Sequence, residues 1–186
     1  MNLSSVTLLN TLGLLGITVV LLIGFVLQIA WDELPCPLCL LQRIGFGMVM
    51  FGFMLNVLHG PQQRHYGVVL IGALFGAITS LRQVSLHVIP GTPGYGSPIF
   101  GMHYYTWAFV LFGATILGVA VLLMLWNSHN DKPAQTYTMN GFGRFACLLA
   151  MITVFLNVVG TFVECGPGQC PDNPVNYWLF DALIAK

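Results

Sequence analysis

Long apolar runs alternate along the chain with short polar or proline-rich breaks. Crossing the hydrocarbon core of a bilayer takes about twenty helical residues. Five runs meet that length, at residues 8–30, 38–58, 66–89, 104–126 and 142–163. The breaks between them are Pro35 and Pro37, Gly60-Pro61, the stretch from Pro90-Gly91 to Pro98, and the polar run Asn127 to Asn140. After the last run, Val175, Trp178, Leu179, Ala182 and Leu183 recur at helical spacing, with Tyr177 and Phe180 beside them. Such a pattern suits a short helix lying in a membrane interface. The predicted fold is therefore an all-α integral membrane protein: a four-helix transmembrane bundle, a fifth transmembrane helix and an interfacial tail helix. The units are residues 1–126 for the bundle, 127–141 for a loop, 142–163 for the fifth span and 164–186 for the tail.

Composition agrees. The chain is 56% hydrophobic and only 6% charged, whereas soluble domains run at about a quarter charged. No charged side chain precedes Asp32, and the formal net charge is +0, so no basic stripe exists to neutralise the phosphates of a nucleic acid. The first run lacks a basic leader and a small-residue cleavage site, which predicts a retained span. Arg64, Lys132 and Arg144, with Asp131, fall on one side of the membrane; Asp32, Glu33, Glu164, Asp172 and Asp181, with Lys186, fall on the other. The positive-inside rule then predicts a cytoplasmic N-terminus and an outer C-terminus, which in a bacterial inner membrane faces the periplasm. Cys36, Cys39, Cys165 and Cys170 share that outer side, where disulfides persist. Cys147, in the inner half of span five, reads as packing.

The chemistry concentrates in Cys36-Pro37-Leu38-Cys39 and Gln42-Arg43. Pro37 is a favoured first helical residue, which puts Cys36 at the N-cap and Cys39 one turn on. Free N–H groups and the helix dipole favour a thiolate there. Arg43 follows Cys39 by one turn on the same face, and a cation at that depth is a functional hypothesis by default. Arg82 and His87, late in span three, are placed to close the same pocket. Gly72, Gly76 and Ser80 form a small-residue stripe for close helix packing. His103 and Met102 are weak metal candidates. In the tail, Gly166-Pro167-Gly168 forces a turn that lets Cys165 and Cys170 meet in a small exposed loop, either as an exchanging disulfide or as a staple. An alternative assigns the four outer cysteines to a thiolate metal site in a membrane metal-binding or assembly subunit, in which Arg43 has no role.

Pro35-Cys36-Pro37-Leu38-Cys39-Leu40-Leu41-Gln42-Arg43, with Arg82-Gln83-Val84 and Leu86-His87, resembles the disulfide bond formation protein B (DsbB) family over spans one to four. The resemblance implies an inner-membrane enzyme that oxidises a periplasmic DsbA-like thioredoxin-fold partner and passes two electrons to ubiquinone or menaquinone. It implies Cys39 as the quinone-proximal cysteine, Cys36 as the exchanging one and Arg43 as the quinone-binding arginine; Gln42, Arg82 and His87 join the expected quinone site. This chain departs from the family in two ways. The loop Gly91 to His103 holds no cysteine, and the only other outer pair, Cys165 and Cys170, follows a fifth span. The expected relay runs from the partner to Cys165–Cys170 and then to Cys36–Cys39. A vitamin K epoxide reductase-like enzyme fits less well, since that family keeps its Cys-x-x-Cys on the fourth span.

Overall fold

The structure, a computed structural model, describes residues 3–89, 91–92, 94–126 and 138–184. Its elements are α1 (Leu3–Ala30), α2 (Pro37–His59), α3 (Gln63–His87), α4 (Tyr104–Leu125), α5 (Gly141–Cys165) and α6 (Trp178–Ile184). The first five are long and apolar enough to span a membrane. The all-α membrane fold expected from the apolar runs is thus observed, with α1 starting five residues earlier than its hydrophobic run suggested. Much of the Asn127 to Asn140 connection, with Asp131 and Lys132, lies outside the described residues, as does Lys186.

Helix α2 is central. It packs between α1 and α3, α4 packs against α3 and also reaches α2, and α5 packs against α1 and α2. Glycine makes the α2–α3 contact close: a Cβ on Gly45 would stand 2.8 Å from the Gly76 Cα, and one on Gly72 would stand 3.0 Å from the Val49 nitrogen. Phe112 of α4 fills the groove beside Gly76 and stacks on Phe46, with ring centroids 4.1 Å apart. The small-residue stripe of span three is therefore the α2-facing stripe. Small side chains let backbones approach, and dispersion replaces the hydrophobic force that lipid does not supply.

At the His59 end of the bundle, polar side chains tie three helices together. Asn10 donates to Tyr66 Oη at 2.6 Å, Asn56 donates to Asn10 Oδ1 at 2.8 Å, and Asn56 Oδ1 lies 2.9 Å from His65 Nδ1. Each such bond is worth about 0.6 kcal/mol in a membrane interior. The outer faces carry exposed apolar side chains such as Ile71, Ile78, Leu117 and Phe155, as a lipid-facing surface requires.

Helix α5 runs antiparallel to α2: Gly143 packs on Val57 near one end, and Asn157 meets Arg43 further along. Its buried stripe is Ala146, Cys147, Ala150, Thr153, Asn157 and Glu164. Cys147 is packed in the apolar core, as its position on the span suggested. The interfacial tail helix is shorter than its pattern. Val175 precedes α6 and is exposed, while Trp178 folds back onto Phe162 (centroids 6.3 Å) and Gly166. The side chain of Ala182 lies outside the described residues.

The Gly45–Gly76 contact makes a test. Gly45→Val is expected to destabilise the detergent-solubilised protein by about 1–3 kcal/mol, the cost of overpacking. Gly47→Val, whose Cβ meets nothing within 4 Å, is expected to shift stability by less than about 0.5 kcal/mol. Thermal unfolding of both variants checks the difference.

Candidate redox-active site

The chain enters α2 through Pro35-Cys36-Pro37. Pro37 begins the helix, and Cys36 caps it with extended backbone (φ −67°, ψ 163°). The Cys36 Sγ accepts the Cys39 backbone N–H at 3.3 Å, satisfying one of the donors that a helix start leaves free. One helical turn brings the Cys39 Sγ to 2.7 Å from the Cys36 Sγ, the two remaining free thiols. Hydrogen bonding from Cys39 outweighs burial and pulls the Cys36 thiol down from 9.0 to about 7. Cys36 is therefore about half thiolate near neutrality, the ionisation state that attacks disulfides.

Helix α3 closes over the pair with Gln83, which is 1% exposed. Its Nε2 donates to the Cys36 Sγ at 3.2 Å and to the Cys39 Sγ at 3.5 Å, while its Oε1 accepts from Gln42 Nε2 at 2.7 Å. Gln42 thus orients Gln83 so that its donor end faces the sulfurs. Gln83 was not among the expected site residues. The signal for it was present: the stripe Gly72, Gly76, Ser80 continues at helical spacing to position 83.

Arg43 lies one turn beyond Cys39. Its guanidinium donates through Nη1 to Gln28 Oε1 at 2.9 Å and Asn157 Oδ1 at 3.2 Å, and through Nη2 to the Gly24 carbonyl at 3.4 Å. Two helices beyond its own, α1 and α5, therefore hold this cation in place. Beside it, α1 and α4 stand apart on either side of α2 and leave a cavity of about 370 Å³. Cys39, Gln42 and Arg43 line its polar side, and Leu21, Phe46 and Leu111 are among its apolar walls. That size and mixture are those of a small-molecule site.

Tyr95, Gly96, Ile99 and Phe100, from the connection between α3 and α4, complete the cavity wall. Ser97 bonds to the Glu33 carboxylate through its backbone N–H (3.1 Å) and its hydroxyl, and Tyr95 Oη donates to the Leu34 carbonyl at 2.6 Å. Burial holds the Tyr95 hydroxyl above its ordinary titration range. The Ile99 carbonyl accepts Trp107 Nε1–H at 3.0 Å, which fixes the loop to α4.

Several expectations need correction. Arg82 is exposed and does not line the cavity. It sits one residue before Gln83, and a step of about 100° around the helix takes it off the α2-facing stripe. His87 is also outside the cavity lining: its Nδ1 lies 2.8 Å from the Gln83 carbonyl oxygen, and its ring stacks on Tyr105. His103 holds the Gly96 carbonyl through Nδ1 at 3.0 Å, and no group of three or more His, Cys, Asp or Glu suited to a metal occurs among the described residues. Cys165 and Cys170 are joined in a disulfide, which removes two of the four thiolates the metal alternative needs. That disulfide is less exposed than expected. Cys165 is the last residue of α5 and is 7% exposed, whereas Pro167, Gly168 and Gln169 are open.

Residues 6–95 match the family model "Disulfide bond formation protein DsbB". Relatives named "Disulfide bond formation protein B" include one from Nitrosomonas eutropha, 36% identical over 75 residues (37% of this chain, 46% of the relative). One from Chromobacterium violaceum is 43% identical over 74 residues (37% and 45%). One from Stutzerimonas stutzeri is 35% identical over 99 residues (48% and 58%). The chain spans about half the length of the curated relatives it matches. No solved structure matches it. The family match covers α1 to α3; α5, Glu164 and the tail disulfide lie beyond it.

The thiol geometry sets a pH dependence. In the reduced protein, alkylation of Cys36 is expected to rise with pH through a midpoint near 7, because only the thiolate reacts. Cys39→Ala removes the main donor and is expected to move the midpoint up toward 9. Mass-spectrometric alkylation rates across pH check both values, and an unchanged midpoint in Cys39→Ala contradicts the assignment.

Proposed function

We propose that this chain, whose residues 6–95 match the DsbB family model, is a membrane thiol–disulfide oxidoreductase that forms disulfides in a partner protein and delivers the electrons to a membrane quinone. The observation that carries this proposal is the capped dithiol Cys36/Cys39 opening on an apolar cavity that also presents Arg43. In it, Cys36 exchanges with other thiols and Cys39, on the cavity wall, faces the electron acceptor.

The cavity suits a quinone ring. Its walls are mainly apolar, and the N–H groups of a guanidinium outnumber the bonds that Arg43 makes to Gln28, Asn157 and Gly24, so a donor remains for a carbonyl oxygen. Arg43 would hold the ring from that side, with Gln42 beside it. A quinone bound there supplies an acceptor for two electrons and two protons. The remaining work belongs to the chain. Arg43 stabilises anionic charge next to Cys39, Gln83 hydrogen-bonds both sulfurs, and the Tyr95–Leu34 and Ser97–Glu33 contacts keep water from the pair.

The tail disulfide is the entry point of this relay. Cys170 is more exposed than Cys165, so an incoming thiolate attacks Cys170 and Cys165 leaves. The partner would be a periplasmic DsbA-like thioredoxin-fold protein, and the membrane a bacterial inner membrane with the N-terminus in the cytoplasm and the C-terminus in the periplasm. The distribution of loop charges supports that orientation.

Turnover of a reduced thioredoxin-fold donor with ubiquinone and menaquinone analogues tests the proposal. Cys39→Ser is expected to abolish turnover. Arg43→Met is expected to raise the KM for quinone about tenfold or more, as loss of a charge-assisted hydrogen bond would. Loss of turnover in Cys165→Ser supports the tail pair as shuttle, and unchanged turnover makes it a staple. Donor oxidation independent of quinone contradicts the proposal.

A further inference from the structure

Glu164 stands out as a buried acid that the relay does not use. It is 2% exposed, and neither carboxylate oxygen has a hydrogen-bond partner among the described residues. A carboxylate without a partner in such surroundings is costly to keep charged, so its position calls for an explanation.

Register locates it. Helices α2 and α5 run antiparallel, with Gly143 against Val57 and Asn157 against Arg43. Continued two turns toward the C-terminus of α5, the same register sets Glu164 opposite Cys36. Asn157 and Glu164 are seven residues apart on the buried stripe of α5, and so are Arg43 and Cys36 on α2. The charge of Glu164 accordingly interacts with both Arg43 and Cys36, and Tyr95 senses it from the connection between α3 and α4. The groups that interact with this carboxylate are Cys36 at the α2 N-cap, Arg43 of α2 and Tyr95 of the loop. Arg43 in turn interacts with Cys39 of α2 and with Tyr177 ahead of α6, and donates to the uncharged Gln28 of α1.

We propose that Glu164 is the internal proton-exchange group of the Cys36/Cys39 pair, contributed by the fifth helix. The proposal rests on the oxidoreductase reading above. When the reduced pair is oxidised, the Cys36 S–H bond breaks and its proton passes to a Glu164 oxygen. This leaves a Cys36 thiolate and a neutral carboxylic acid, and no electron moves in that step. The thiolate then forms the S–S bond to Cys39, whose own S–H bond breaks. The two sulfurs give up two electrons, and Cys39 its proton, to the oxidant, a membrane quinone in the cell or an added disulfide in vitro, which takes its second proton from water. When the pair is reduced again by a dithiol, which supplies two electrons and the proton for Cys39, Glu164 returns its proton to Cys36 and is left as a carboxylate facing Arg43. The proton thus stays inside a water-poor site, where Arg43 offsets the charge of whichever anion is present.

Infrared difference spectroscopy of the full-length protein, oxidised minus reduced, tests this without quinone, the pair being poised with oxidised and reduced dithiothreitol. One protonated-carboxyl band is expected to appear on oxidation, to be lost in Glu164→Gln and to persist, shifted, in Glu164→Asp. No carboxyl change between the two states, as expected of a fixed counter-ion to Arg43, overturns the proposal. A band retained in Glu164→Gln also overturns it. Should Glu164→Gln fail to fold, judged by loss of helical circular dichroism, the shifted band in Glu164→Asp decides. Since no quinone is present, failure of quinone-linked turnover leaves the outcome of this experiment unchanged.

Discussion

A guanidinium held inside a membrane-spanning bundle is the constraint on which this structure depends. A bilayer makes an arginine at such depth expensive unless protein groups replace water around it. Arg43 obtains those groups from α1, through Gln28 and the Gly24 carbonyl, and from α5, through Asn157. The fifth helix is thereby docked by the same side chain that faces the cavity. Because α5 is docked at Arg43 and runs toward the Cys36 end, its last turn brings Glu164 within electrostatic reach of Cys36. One buried cation thus couples the part of the chain that matches the DsbB family to the part beyond it.

The thiols depend on a second feature, the close approach of α2 and α3. Gly45, Gly72 and Gly76 let the two backbones approach so nearly that Gln83, one step further along the same stripe, reaches both sulfurs. A bulkier stripe would separate the helices and leave the amide short of Cys36. On the other side, α1 and α4 flank α2 without closing on each other, and the gap is the cavity beside Cys39. Tight packing on one side and an open seam on the other give the pair a dry, hydrogen-bonded back and an accessible front.

Much of this was legible in the sequence. Apolar runs of spanning length can form little but helices in a bilayer, since every backbone group must be satisfied internally, and all five spans follow from them. Pro37 and the spacing of Cys36 and Cys39 specify the cap and the shared face, because local helix geometry fixes both. What was not legible depends on helix rotation and on contacts between distant segments. Choosing Arg82 over Gln83 favoured charge over phase, whereas a helix shows its partner the residues that share its small-residue stripe. Glu164 was counted as a loop charge for orientation, yet the structure buries it, because α5 continues through Cys165. The pairing of α5 with α1 and α2 links segments far apart in the sequence, as Arg43 with Asn157 and Val57 with Gly143 show, and no local pattern encodes it.

The central claim is that the fifth helix delivers the tail pair to the N-cap dithiol. Disulfide mapping of a Cys39→Ala variant, by non-reducing digestion and mass spectrometry after mild oxidation, tests it most directly. Without Cys39, the Cys36 thiolate has only the tail disulfide to attack. The account predicts an intramolecular mixed disulfide joining Cys36 to Cys165 or Cys170. A Cys165–Cys170 bond that stays closed, with Cys36 a free thiol, would contradict it.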